Sequence, residues 1–264
     1  RRAADAERTW KYAHLAGDLA RESYANVDAA AQYDRALEVS RRVPGITEDQ
    51  RAQLWALLGD LRELSGVLDG SVEAYRRAAS LTTDPVVKAD YMARRARVHS
   101  RAGAPATALR TIGAARRLLE RAPGDPARRV GVRLDYLTAV AKLGQEKPRE
   151  GRDWADRAVA SAREIADWHT LVRALNALDF ADQQLGRSGV GAHTREALEI
   201  SMAHGDAPQE SVARANLGVL AFYAGRWAEA VEWLTTSSKV AIEAGNDFGA
   251  AETDLTYADI LIHQ

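Results

Sequence analysis

One spacing of small and apolar residues recurs along the chain and constrains its fold more than any other feature. In each occurrence a small residue in one helical segment is followed at +12, +16 and +19 by residues of a second segment that can pack back against it. The four occurrences are Gly17 with Ala29, Tyr33 and Ala36; Gly59 with Ser71, Tyr75 and Ala78; Ala96 with Ala108, Ile112 and Ala115; and Gly218 with Ala230, Leu234 and Ser237. Because a small residue lets two helices approach closely, the spacing predicts tandem helix hairpins.

Three further stretches follow the hairpin pattern less completely. They predict helices over about 127–143 and up to 166, over 167–185 and up to 204, and a single last helix over 248–264. Good helix formers are abundant and alternating runs of β-branched residues are missing. We therefore predict an all-α fold, an α-solenoid of about six and a half helix-turn-helix repeats that occupies 1–264 as a single domain. Each hairpin would bury its apolar flanks only against its neighbours.

The composition excludes several kinds of site. The chain contains no Cys, which excludes disulfides, thiolate catalysis and zinc–thiolate sites and fits a reducing cytosol, so a cytoplasmic location is predicted. No apolar run approaches the ~20 residues that cross a bilayer, so no membrane contact is expected. The chain begins with Arg1 instead of Met and ends inside a helical pattern, which suggests a fragment of a larger protein.

The best-defined repeats resemble tetratricopeptide repeats. The residues that carry this resemblance are Trp55, Leu58, Gly59, Tyr75 and Ala78 in one hairpin, and Asn216, Leu217, Gly218, Ala230 and Leu234 in another. Repeats longer than the usual 34 residues are similar to those of kinesin light chains and of the sensor regions of MalT-like bacterial regulators. The resemblance implies a right-handed superhelix whose first helices line a concave face that binds peptides, proteins or small effectors.

No motif predicts catalysis, a metal site or a cofactor. The Gly-rich turn at 186–191 lacks the Lys-Ser/Thr of a phosphate-binding loop and lies between helices. The six His show no metal-ligand spacing, and no Ser sits in a nucleophile elbow. The spacing of Asp179 and Asp182 does not single them out as an acid–base pair. We therefore expect a protein that is not an enzyme.

A ladder of polar residues is the main candidate for a binding site. Two positions before the small residue of the last three units lie Asn176, Asn216 and Asp254, and an Asn side chain can donate to and accept from a peptide backbone at once. The competing interpretation is that Asn-Leu-Gly is ordinary repeat sequence. The neighbouring candidates on the same predicted face are Asp179, Asp182, Phe222, Tyr223 and Tyr257. At least one of Phe222 and Tyr223 is expected to be core.

A basic band provides the second candidate surface. Eleven Arg but only Glu120 and Asp125 lie between Arg94 and Arg133. Within the band, Arg94, Arg97 and Arg101 share one helical face and would suit an acidic segment, a carboxylate or a phosphate. The alternative interpretation is a solvated face whose Arg stems lie along the helices.

The leading hypothesis is a non-catalytic region of a larger bacterial signalling protein that binds a protein or peptide partner, or a small effector. One alternative is nucleic-acid contact through the band 94–133, which the missing interleaved aromatic residues disfavour. A second alternative is a structural role in which the last, unpaired helix forms a homodimer.

Overall fold

A computed structural model describes residues 2–187 and 191–262. Within these residues it contains thirteen α-helices, one short 3₁₀ turn and no strand, which confirms the all-α prediction. None of the helices in the described ranges is long and apolar enough to span a bilayer. The chain divides into two compact units between Ala127 and Arg128.

The first unit contains three helix hairpins. Its helices are α1 (Arg2–Glu22), α2 (Asn26–Val39), α3 (Glu48–Leu64), α4 (Leu68–Leu81), α5 (Pro85–Arg101) and α6 (Pro105–Leu119), with the 3₁₀ turn at Ser40–Arg42. Each helix packs against the next one along the chain. The hairpins therefore stack in sequence order, as a repeat fold requires.

The second unit contains the remaining hairpins. Its helices are α7 (Asp125–Leu143, which starts just before the unit boundary), α8 (Pro148–Glu164), α9 (Trp168–Gln184), α10 (Ala192–His204), α11 (Ala207–Tyr223), α12 (Trp227–Glu243) and α13 (Asp247–Ile262). From α8 onward each helix packs on the next, and the first helices α9, α11 and α13 also touch one another in that order. The described residues thus form six hairpins and one single helix, as predicted.

The recurring offsets place a tyrosine ring against a glycine in the first two hairpins. The two sets are Gly17, Asp18 and Tyr33, and Gly59, Asp60 and Tyr75. Both rings are fully buried, and a Cβ added to either glycine would collide with the ring. In both sets the tyrosine hydroxyl donates to the aspartate at 2.6 Å. Burial raises the pKa of Tyr75 well above its usual value, so the phenol keeps the proton that it donates.

The fourth hairpin carries the full set of offsets, which the sequence interpretation did not recognise. Ala139 is followed by Gly151, Ala155 and Ala158 at +12, +16 and +19, and all four are buried. The side chain of Leu143 and the carbonyl oxygen of Ala139 lie so close to Gly151 that a Cβ there would contact both. The signal lies in the small residues of both helices. It was not recognised because the +12 residue is Gly, where the other repeats have Ala or Ser.

Helix ends are fixed by caps that the sequence supplies. Thr47 and Gln50 form a reciprocal capping box at the start of α3. Asp84 accepts from the first-turn backbone N–H groups of α5, and Asp206 does the same for α11. After α11, Gly225 adopts the left-handed conformation (φ 72°) that ends the helix, which favours a residue without Cβ.

Candidate binding site

Helix α9 carries a buried polar face in the second unit. Asn176, Asp179 and Asp182 follow one another at intervals of three residues and so lie on one side of the helix. Their exposed fractions are 7%, 2% and 9%. Buried polar groups need partners to replace their hydrogen bonds to water, so the partners of each side chain decide what this face can do.

Asp179 caps a neighbouring helix. Its Oδ2 accepts a hydrogen bond from the backbone N–H of Thr194, at 2.6 Å, in the first turn of α10. The N-cap residue of that helix, Gly191, makes no side-chain cap bond. A carboxylate at this place satisfies an N–H that has no partner within the helix and interacts favourably with the helix dipole. Asp179 therefore has a structural role that the sequence did not predict.

Asp182 is held by two guanidinium groups. Its Oδ1 accepts from Nε of Arg152 on α8 at 2.7 Å and from Nη1 of Arg187, just after α9, at 2.9 Å. Both contacts use the same carboxylate oxygen, so Oδ2 is not engaged by these two hydrogen bonds. The charge of this buried carboxylate is thus balanced within the protein.

Asn176 differs from both aspartates. Among the described residues, neither Oδ1 nor Nδ2 of its carboxamide has a hydrogen-bond partner, although both atoms are buried. The hydroxyl of Thr194, which is fully buried, also lacks a partner within that part of the chain. Each such group costs about 1–3 kcal/mol of desolvation that no internal bond offsets. This face of α9 thus contains buried hydrogen-bonding groups that no other described residue satisfies.

The other two members of the predicted ladder lie on the helices that follow α9 in the row of first helices. Asn216 is half-buried on α11, and Asp254 is exposed on α13. Since α9 touches α11 and α11 touches α13, the three positions lie on successive neighbouring helices. That they share one ligand stays a prediction.

The aromatic candidates divide between core and surface. Phe222 is half-buried, packs on the cluster of Ala221, Ala230 and Leu234, and meets the Tyr223 ring edge-on at a centroid distance of 5.4 Å. Tyr223 is 65% exposed. The expectation that at least one of the two belongs to the core agrees with this packing, and Tyr223 is the one available to a ligand.

Asp254 and Tyr257 line a cavity of about 390 Å³ between α12 and α13. The other lining residues are Thr235, Ser238, Lys239, Ile242 and Glu243. Tyr257 is half-buried and also packs on the cluster around Leu234. Helix α13, which carries both residues, packs on α12 and also touches α11, and the grouping of the two residues with Asn216 stays a prediction.

The arginine row of the first unit is neutralised by acidic residues. Arg94 bonds to Asp60 at 2.8 Å and to Asp90 at 3.0 Å. Arg97 pairs with Glu63 at 2.6 Å, and Arg101 lies 3.7 Å from the same carboxylate. Burial by itself lowers the pKa of Arg94, but Asp60 and Asp90 outweigh it, so the pKa is raised above its usual value. The expected cationic face is therefore a mixed charge network.

Some residues of the α9 face were not predicted from the sequence because they come from other helices. Arg152, His193 and Thr194 reach this face from α8 and α10. Asp182 and Arg152 are 30 positions apart, a separation at which no local pattern links two residues. The Gly-rich turn predicted at 186–191 includes 188–190, which lie outside the described residues.

The comparisons with known proteins identify the fold. No protein-family model matches the chain. No curated protein matches it either. Among solved structures, aspartyl phosphate phosphatase F from Bacillus subtilis matches with a TM-score of 0.66 at 12% identity, over 98% of this chain and 72% of that one.

Two other similar structures are regulators or sensors by name. The Rap conjugation gene regulator of the plasmid pLS20, in complex with the Phr* peptide, has a TM-score of 0.53 at 14% identity and covers 96% of this chain and 59% of that one. PH0952 from Pyrococcus horikoshii, a signal transduction ATPase with numerous domains and a tetratricopeptide repeat sensor, has a TM-score of 0.58 at 14% identity. That match covers 91% of this chain and 37% of the other. At these identities the likeness shows the fold alone.

Proposed function

Because this chain has the tetratricopeptide-repeat fold, we propose that it is a non-catalytic binding region for a peptide or protein partner, within a larger bacterial signalling or transcription-regulating protein of the cytoplasm. Two names support the proposal. The pLS20 regulator was solved with the Phr* peptide, and the repeats of the Pyrococcus protein are called a sensor.

One observation carries the proposal: the carboxamide of Asn176 is buried and has no partner among the described residues. A carboxamide presents a donor and an acceptor in one plane, which matches the C=O and N–H of an extended peptide backbone. Asn216 occupies the same repeat register on the adjoining helix α11. The two amides would hold the main chain of the partner, and the exposed Tyr223 would contact its side chains.

The test starts from peptides selected on the purified chain from a phage-displayed library of short random sequences. Affinities of the selected peptide are then measured by fluorescence anisotropy for Asn176→Ala, Asn216→Ala and the wild type. We expect each substitution to weaken binding by about tenfold, which corresponds to the loss of one or two buried hydrogen bonds. The matched control is Gln184→Ala, since Gln184 is an exposed amide at the end of the same helix.

Equal affinities of the wild type and both Asn variants would contradict the proposal. A catalytic role would also contradict it. Catalysis is tested because one structural neighbour is a phosphatase by name. Acetyl phosphate hydrolysis that is catalysed by the chain and lost in Asp182→Asn would show such a role.

A further inference from the structure

We propose that α9 and α10 form a binding site for a first-row divalent metal ion, with Asp179, Asp182 and His193 as ligands. One ligand atom from each residue can be chosen so that all three lie within 4.8 Å of one another. Both carboxylates are buried and the imidazole is half-buried. The inference goes beyond peptide binding and does not rest on it.

The free oxygens of the two aspartates favour a cation between them. Asp179 uses Oδ2 to cap α10, and Asp182 uses Oδ1 for both of its guanidinium partners. Each carboxylate therefore keeps a second oxygen that these bonds do not occupy. Because Arg152 and Arg187 already balance the charge of Asp182, a divalent ion bound to these oxygens would chiefly offset the charge of Asp179.

Two unpartnered side chains on the same two helices, α9 and α10, provide the second, independent observation. Asn176 lies one helical turn before Asp179 and is 93% buried, since its exposed fraction is 7%. Neither atom of its carboxamide has a partner in the described residues. The fully buried Thr194 hydroxyl, equally unpartnered there, belongs to the residue whose N–H is bonded to Asp179. The hydroxyl oxygen of Thr194 is suited to complete the coordination shell of a small cation, and the carboxamide of Asn176 marks the same helix face as short of hydrogen-bond partners.

A comparison with the earlier hairpins shows how Asp179 differs from the aspartates in the same register. In those hairpins the +16 residue is Tyr33 or Tyr75, and its hydroxyl satisfies the aspartate that follows the glycine. Asp179 occupies the same register as those aspartates, but its +16 counterpart is Thr194. A threonine side chain is shorter by a whole ring, and its hydroxyl has no hydrogen-bond partner among the described residues, so Asp179 lacks the hydroxyl donor that Asp18 and Asp60 have.

The ligand chemistry selects the class of ion. Carboxylate and hydroxyl oxygens together with an imidazole nitrogen suit first-row ions such as Zn²⁺ and Mn²⁺. Mg²⁺ and Ca²⁺ prefer sites built entirely from oxygen ligands. We therefore expect Zn²⁺ and Mn²⁺ to bind more tightly than Mg²⁺ or Ca²⁺.

Substitution of Arg187 provides a second test, because it should tighten metal binding where loss of a ligand weakens it. Its guanidinium bonds to Asp182 and is about half exposed. A positive charge beside the site repels a divalent ion. Arg187→Gln should therefore bind Zn²⁺ and Mn²⁺ more tightly than the wild type, whereas loss of a ligand should weaken binding.

The experiment is isothermal titration of the metal-stripped full chain with ZnCl₂ and with MnCl₂, without peptide. We expect one ion per chain, binding weakened at least about tenfold in His193→Ala and in Asp179→Asn, and tightened in Arg187→Gln. The control is His204→Ala, because His204 is exposed at the end of α10 and stacks on Trp168. Circular dichroism of each variant verifies folding, and the side chain of His193 is not the N-cap of α10. No saturable binding to the wild type, or equal binding to His193→Ala, would overturn the site.

Discussion

Gly59 lies directly beneath the ring of Tyr75, so that a methyl group at Gly59 would come within 2.8 Å of Cε1. The ring is fully buried, and its hydroxyl reaches Asp60 at 2.6 Å. Glycine and tyrosine therefore specify each other: the missing side chain makes the space in which the ring packs. The same arrangement joins Gly17 to Tyr33 in the preceding hairpin.

Gly59→Ala should destabilise the first unit. The new Cβ forces the ring of Tyr75 out of a packed position, and overpacking of this kind costs about 1–3 kcal/mol. Urea unfolding monitored by circular dichroism measures the effect. The matched control is Gly113→Ala, where the nearest atom to a new Cβ is the flexible end of Arg117 at 3.8 Å. That helical substitution should raise stability by about 0.5–1 kcal/mol. A Gly59→Ala protein as stable as the wild type would refute this packing account.

Asn176→Leu should leave the free energy of unfolding unchanged or raise it by about 1 kcal/mol, since it removes two buried groups that no described residue satisfies. The same substitution should weaken binding of the selected peptide by at least about tenfold, as expected for Asn176→Ala. Stability against urea and peptide affinity are measured on the same preparations. A loss of stability larger than about 1 kcal/mol would show that the amide is already satisfied in the free protein.

Glu63→Gln should destabilise the first unit by about 2 kcal/mol, because it removes the charge that pairs with Arg97 in a poorly exposed place. Glu73→Gln is the control. Hydrogen bonds from Arg76 and Arg77 lower the pKa of Glu73 to about 2, but all three groups are exposed and screened by water. The effect of Glu73→Gln on thermal unfolding should be much smaller than that of Glu63→Gln. Equal effects of the two substitutions would contradict the importance of burial here.

The first unit should lose stability as the pH falls below 6.5 because of His99. Burial, and then the charges of Arg95 and Arg110, lower the pKa of His99 from its ordinary value of 6.5. The native protein then binds fewer protons than the unfolded chain between the lowered pKa and 6.5, so stability falls with pH in that window. Urea unfolding above and below 6.5 should show a weaker pH dependence for His99→Gln. Parallel losses in both proteins would count against this assignment.

The sequence was sufficient for the fold because the repeat is a local signal. Gly59 and Tyr75 are 16 residues apart, within one hairpin, and the same offset in other hairpins makes it visible. Helix-forming composition and caps such as Asp84-Pro85 then fix where the helices start. The fourth hairpin was predicted from its helical pattern, but its offsets were not recognised, since Gly151 stands at +12 from Ala139 where the other repeats have Ala or Ser.

The chemistry of the site was less predictable. The register placed Asn176 and Asp179 on one face of a helix, but it contained no information about the partners of that face. Arg152 and Thr194 arrive from separate helices, and their positions depend on how neighbouring hairpins pack. The row of Arg94, Arg97 and Arg101 was expected to be cationic because the sequence does not show which acidic residues pack against it. Asp60, which pairs with Arg94, lies 34 residues earlier in the chain.

Sequence alone thus determined the helices, their pairing and the residues that face a neighbouring helix, because each depends on spacing within one hairpin. Tertiary structure alone decided which polar groups are satisfied. Asp182 is neutralised while Asn176 is left with unused hydrogen-bonding atoms among the described residues. Hydrogen bonds and ion pairs act over about 3 Å, and only the packing of hairpins brings groups from distant parts of the chain to that distance.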